Sequence, residues 1–325
     1  MNRRTILGAP LALPFLPRPG LAQPSEPWPA RTLRMVIPWP PGQSTDVQGR
    51  LMAQFLTERL GQTVVPENRP GAGGQIGTNA VAKAAPDGYT LLAASIGPIS
   101  FQPLVSRTLY DVERELAPVA SYGIAPYMLL VRRDLPVTDL RSFIALMRAN
   151  PGKYTYNSSG VGGAQHLLGA VFNAMAGIDA LHIPFQGSAP ALAALLAGQV
   201  DYGIDTMAAA LRLVQEGKLR ALGITTARPS SFVPDIPPIA TAGDLPDYDI
   251  GGWNGLMVPT GTPRPIIDRL VAEVQQGLAT PALRRQFESL GIDVEARGPE
   301  GFGALLTELR GKFGSVIHQL GIRVD

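Results

Sequence analysis

Between Leu33 and Arg50 the chain reads LRMVIPWPPGQSTDVQGR. The apolar run Leu33 to Ile37 carries one charge, Arg34, and predicts a short strand. Pro38 to Gly42 then stops any regular element, because proline lacks an N–H and glycine is conformationally permissive. Ser44 or Thr45 predicts an N-cap, with Asp46 in the first turn of the following helix. Such a loop leaves backbone N–H groups unpaired at the positive end of a helix dipole, a site for a carboxylate or phosphate. Tyr154 to His166, YTYNSSGVGGAQH, repeats the design in its chemistry, though no internal sequence repeat is present. Two such helix starts facing one another predict a cleft for a small anion.

The rest of the chain alternates short apolar runs with helical periods, which predicts α/β sheets with parallel strands. Val47, Leu51, Phe55, Leu56 and Leu60 share one helical face, and Gly61 stops that helix. Strands are expected at Val64-Val65, Tyr89 to Ala94, Tyr127 to Val131, Tyr154 to Asn157, Ala180 to Pro184, Val200 to Ile204 and Leu219 to Thr225. Between them fall helices over Thr78 to Ala85, one capped by Thr138, one stopped by Gly177, one capped by Ser188, and Met207 to Glu216. Pro229 to Pro246 reads as a surface crossing, and Tyr248 to Val258 as an extended return. Three amphipathic helices close the chain: Pro265 to Ala279, Pro281 to Leu290 and Glu300 to Leu320.

At 325 residues, two domains are expected. The first 22 residues predict a secretion signal: Arg3 and Arg4, an apolar Ile6 to Leu16, and small residues around Gly20-Leu21-Ala22. Cleavage after about Ala22 and a periplasmic location follow, by general secretion or by the twin-arginine route. Removing Arg3, Arg4 and Arg18 from the 28 basic residues leaves 25 against 26 acidic ones. This near-neutral balance offers no footprint for nucleic acid. No other run approaches the ~18 apolar residues of a membrane span. With no cysteine and three scattered histidines, neither disulfides nor a metal site is expected, and no motif calls for a cofactor.

Gly71 to Gly77 is neither a dinucleotide fingerprint, having Ile76 where the third glycine belongs, nor a P-loop, since Thr78 replaces the lysine. Ser158 or Ser159 with His166 and Asp205 would be a hydrolase constellation, but the nucleophile elbow is absent. His166 reads as a packed or capping residue, and His182 and His318 as structural. Asp205 ends an apolar strand, where ligands bind in open α/β sheets. It reads as a ligand contact or as the cap of the Met207 helix. Asp46 would repel an adjacent anion, so it caps or braces its loop. Trp39, between prolines, is expected at a cleft wall.

PWPPGQSTD (Pro38 to Asp46), ENRPGAGGQIG (Glu67 to Gly77), APDGYTLL (Ala85 to Leu92), NPGKYTYNSSGVGGAQH (Asn150 to His166) and HIPFQGSAPALAALLAGQVD (His182 to Asp201) occur in this order. With GKLRALGIT (Gly217 to Thr225) and Trp253 to Pro263, they resemble the Bug family, the TctC-type extracytoplasmic solute receptors of tripartite tricarboxylate transporters. The resemblance covers essentially the whole mature chain. It implies a type II periplasmic-binding-protein fold, two α/β domains flanking a ligand cleft with two crossings. One domain would comprise residues 23–125 and 252–325 and the other residues 126–251, in a monomer without cofactor or metal. The resemblance further implies a small carboxylate ligand: a di- or tricarboxylate, an acidic amino acid or an aromatic acid. Membrane permease subunits would be the partners.

The binding residues so implied are Trp39, Pro41, Gly42, Gln43, Ser44, Thr45 and Asp46 from the first loop, with Ser95, Ile96 and Gly97. The second half adds Ser158, Ser159, Gly160, Val161, Gly162, Phe185, Gln186, Gly187 and Asp205. Two departures stand out. The family usually has two adjacent glycines where this chain has Gly42-Gln43, and Gln186 stands where a lysine is usual. A receptor reporting to a signalling protein and a serine hydrolase using Ser159 are the competing functions.

Overall fold

The computed structural model describes residues 28–319. The predicted leader and its cleavage point lie outside them. The chain begins with β1 (Leu33–Ile37), α1 (Ser44–Leu60), β2 (Val64–Asn68), α2 (Gln75–Ala82) and β3 (Thr90–Ser95). A π-helical turn (Gly97–Phe101) leads through the short α3 (Gln102–Val105) and α4 (Val112–Glu115) into β4 (Leu116–Ala125). Next come β5 (Tyr127–Arg132), α5 (Leu140–Arg148), β6 (Thr155–Ser158), α6 (Ala164–Ala176) and β7 (Leu181–Pro184). They continue as α7 (Ser188–Leu196), β8 (Tyr202–Thr206), α8 (Met207–Gln215), β9 (Leu219–Ile224) and α9 (Ile239–Ala242). The return is β10 (Gly252–Pro259), α10 (Arg264–Ala279), α11 (Pro281–Glu288), β11 (Asp293–Arg297) and α12 (Pro299–Gln319).

Two mixed sheets result. One has the order β11-β4-β10-β3-β1-β2, the other β7-β6-β8-β5-β9. The first sheet takes strands from both ends of the described chain and the second only from its middle, so each is the centre of one α/β lobe. The expectation of parallel strands holds for β1 with β2 and β3, and for β6 with β7 and β8. It fails for β10 against β3 and β4, β11 against β4, and β5 against β8 and β9, all antiparallel. The reason lies in the crossings. β5 and β10 enter their sheets from the other lobe and not through the local helical crossover that makes parallel neighbours; β11 runs in the same direction as β10, so both oppose the β4 between them.

The first core packs Met35, Ile37, Met52, Leu56, Leu256, Leu270 and Phe287. The face of α1 turned inward is Thr45, Gln48, Gly49, Met52, Ala53 and Leu56, rotated from the predicted stripe, whose Val47, Leu51, Phe55 and Leu60 are only half-buried. A Cβ on Gly49 would meet Ala93 and Ile37 at 3.2 Å, so α1 lies close on its sheet. In the other lobe Phe143 stacks on Phe172 and meets Tyr202 edge-on at 5.0 Å. α12 returns to the seam between lobes, where Lys312 Nζ donates to the Asp249 carbonyl at 2.6 Å.

Several caps differ from expectation. α5 is capped by Asp139, which accepts from Ser142 N–H at 2.8 Å, and not by Thr138. The N-cap of α7 is Gly187, with Ser188 already helical. α8 is capped by Thr206, so Asp205 is not its cap. The N-cap of α1 is Gln43, not Ser44 or Thr45. At α1, α5 and α8 the N-cap has the extended backbone that a cap needs, and at α7 Gly187 takes a φ of 114° open to glycine.

Candidate functional site

After β1, the loop Pro38 to Gln43 is pinned from within. The Asp46 carboxylate accepts from Gly42 N–H at 2.9 Å through one oxygen. Its other oxygen accepts from Arg50 Nε at 2.9 Å and Asn68 Nδ2 at 2.7 Å. Gly42 N–H is therefore already taken, contrary to the expectation that it is free for an anion. Gly42 can hold the required φ of 85° because it lacks a Cβ. Trp39 is buried, and its Nε1–H donates to Ser95 Oγ at 2.8 Å. A Cβ on Gly97 would lie 3.1 Å from the indole and one on Gly163 3.2 Å from it, so the ring is wedged between the lobes.

The loop after β6 is held differently. Ser158 Oγ lies 2.7 Å from His182 Nε2. Gly162 N–H donates to His166 Nδ1 at 3.0 Å, so His166 holds the loop residue ahead of the α6 N-cap, Gly163, which has no side-chain cap of its own. The two imidazoles stack at 3.9 Å. Burial pulls His166 down to about 4 and His182 to about 3, with the neighbouring His166 adding to the latter, so both rings are neutral at pH 7. Ser159 Oγ donates to Gln165 Oε1 at 2.6 Å. Gln165 Nε2 donates to Ser188 Oγ at 3.1 Å and to Asp205 Oδ1 at 3.3 Å. Ser188 Oγ donates to Asp205 Oδ1 at 2.9 Å, and Thr206 N–H does so at 2.7 Å. Burial pushes Asp205 up to about 6, against the opposing pull of these donors. The hydrolase constellation is not assembled: Asp205 bonds neither histidine, and Ser159 bonds Gln165.

Between the lobes lies a narrow cleft. Of the predicted residues, Trp39, Gln43, Ser44, Thr45, Ser95, Ile96 and Gly97 line it. Pro41, Gly42, Val161 and Gln186 are exposed, Gly160 and Phe185 are half-buried, and Gly162 and Gly187 are buried behind the wall. Asp46, Ser158, Ser159 and Asp205 sit behind the wall as braces. Tyr127, Ala164, Gln165, Ser188, Thr206 and Asn254 complete the lining and were not predicted. Gln165 had a signal, a polar side chain in the first turn after Gly163, and Ser188 was read only as a cap. Tyr127 and Asn254 had none, because strand pairing alone brings them here. Thr45 Oγ1 donates to Asn254 Oδ1 at 2.8 Å.

Three helix starts meet at this cleft, those of α1, α6 and α7, and none has a side-chain cap. Their first-turn N–H groups and positive dipole ends favour negative charge. No Arg, Lys or His lines the cleft among the described residues. Nor do those residues hold a cluster of three or more groups able to bind a metal.

Two α/β lobes around a cleft fed by helix N-termini define a solute receptor of the periplasmic-binding-protein class. The chain belongs to the tripartite tricarboxylate transporter family of receptors (TctC), whose profile matches residues 49–322. It is 34% identical to the protein BugT of Bordetella pertussis, over 95% of this chain and 96% of that one. A Rhodopseudomonas palustris protein solved with adipate is 32% identical, with a TM-score of 0.87 over 91% of this chain and 99% of that one. MatC from the same species, solved with bound malate, is also 32% identical, with a TM-score of 0.83 over 89% and 100%.

Proposed function

We propose that this protein captures a small carboxylate in the periplasm and delivers it to the membrane permease subunits of a tripartite transporter. The observation that carries the reading is the convergence of three uncapped helix starts on a cleft without a basic side chain. Backbone donors of this kind hold an anion without a counter-ion. One carboxylate rests on the first-turn N–H groups of Ser44 and Thr45, and its apolar part packs on Trp39. Asp205 acts through Ser188 and Gln165, which it holds in place at the cleft wall. The adipate and malate in the relatives support a dicarboxylate or a molecule of similar size.

Export with cleavage after about Ala22 belongs to the same reading. So do domain limits at residues 125/126 and 251/252, supported by β4 ending at Ala125, β5 starting at Tyr127 and β10 starting at Gly252. Closure about these crossings would make the protein more compact with ligand, as small-angle scattering can read.

Thermal shift against di- and tricarboxylates, acidic amino acids, aromatic acids, neutral sugars and organic cations tests the ligand class. At a ligand concentration ~100-fold above its Kd, stability rises by about 2.7 kcal/mol. A shift from a sugar or a cation with none from any acid overturns the proposal.

A further inference from the structure

The Gln43 side chain is 6% exposed and lines the cleft, yet its Nε2 has no hydrogen-bond partner. Buried amide N–H groups rarely stay unpaired. Four of the neighbouring side-chain donors are engaged within the protein: Trp39 to Ser95, Thr45 to Asn254, Gln165 and Ser188 to Asp205. Gln43 differs from these in having a donor left over. It also reaches across the seam, since a Cβ on Gly187, the N-cap of α7, would lie 3.5 Å from its Nε2. Gly187 has φ +114° and no side chain, and a Cβ there would also meet Pro40 at 3.4 Å, so the Gln43 amide sits at the corner between the α1 and α7 starts.

We propose that Gln43 is the specificity-determining residue of this receptor, its Nε2–H₂ donating to a second acidic group of the ligand while the first rests on the α1 N-terminus. This rests on the carboxylate reading above and deepens it: the ligand class becomes the di-acid. A ligand with an apolar end at that corner leaves the amide unpaired and adds no contact to compensate. Discrimination of this kind is large, because a site built to hydrogen-bond a group rejects the analogue that lacks it.

The test measures affinities of the wild-type chain for succinate, glutarate and adipate beside butyrate, valerate and hexanoate, by calorimetry at pH 7. Gln43→Met keeps the volume and removes the donor. Gln43→Gly serves as a second variant, since glycine is tolerated at an N-cap. The wild type should prefer di-acids, and both variants should lose about 10- to 100-fold on di-acids, as expected for a hydrogen bond to a charged acceptor, and little on mono-acids. Gln43→Glu should lose more, because like charges then meet. Equal losses on both series, or unchanged di-acid affinity in folded Gln43→Met and Gln43→Gly, overturn the role of Gln43 and leave carboxylate binding standing. A wild type that binds none of the six acids overturns this proposal and leaves the carboxylate reading to the wider thermal-shift panel.

Discussion

The loops before α1 and α6 present the same thing to the cleft, a helix start without a side-chain cap, but are held in place by different means. The first is braced by a carboxylate, Asp46, whose partners include the half-exposed Arg50. The second is braced by groups that are neutral at pH 7, the stacked His166 and His182, and by the relay from Ser159 through Gln165 and Ser188 to Asp205. A charged brace weakens with salt. A neutral imidazole brace fails when it is charged. One ligand chemistry is therefore served by two supports with different sensitivities.

The largest effect should come from Asp205→Ala. It strands the Ser188 hydroxyl, the Gln165 amide and Thr206 N–H in a buried site, and should lower unfolding free energy by about 3 kcal/mol in urea titration. Asp205→Asn keeps an acceptor and should recover part of it. Asp46→Ala should cost less, about 1–2 kcal/mol, because Arg50 is solvated and regains water. If Asp46→Ala costs more than Asp205→Ala, the ranking of the two braces is reversed.

Acid should separate the loops further. His166 and His182 titrate in the fold at about 4 and about 3, below the 6.5 of an unperturbed histidine. The unfolded chain therefore binds protons first. The stability these residues contribute is complete above pH 6.5 and is lost as pH falls toward 4 and then 3. Asp205, raised to about 6 from 3.8, has the opposite sign: it favours the fold as pH falls from 6 toward 3.8. Two histidines outweigh one aspartate, so the melting temperature should fall between pH 6.5 and 4. His182→Phe should flatten that slope; an unchanged slope would place the acid sensitivity elsewhere.

The smallest effect should be that of Gly163→Ala. Its φ of −71° suits alanine, so what is felt is the approach of the new Cβ to the Trp39 ring at 3.2 Å and to the Gly160 carbonyl oxygen at 3.3 Å. Stability should change by under ~1 kcal/mol, read from the melting midpoint. A much larger loss would mean that Trp39 has no room to shift at the seam.

Much of the fold was legible because its signals are local. The apolar runs at β1, β3 and β5 and the αL glycines at Gly61 and Gly177 declare themselves within a few residues. β4, whose alternation is broken by Pro118 and Gly123, was missed, as was β11. Their pairing with distant strands, and not their composition, makes them strands. The two loops at the cleft were found for the same local reason, a glycine break before a helical period.

The amino-acid sequence alone determined the helix starts, the glycines that allow their loops and the near absence of charge around them, because each depends on neighbours within about one helical turn. Only the tertiary structure decided how these parts are used. It gave Gly42 N–H to Asp46 and joined Gln165, Ser188 and Asp205 from three separate elements. It set Thr45 on Asn254 across 209 residues of chain, and it left Gln43 Nε2 without a partner. A hydrogen bond needs two groups within about 3 Å. For residues far apart in the chain, only sheet order and the packing of two lobes across a seam can bring them that close.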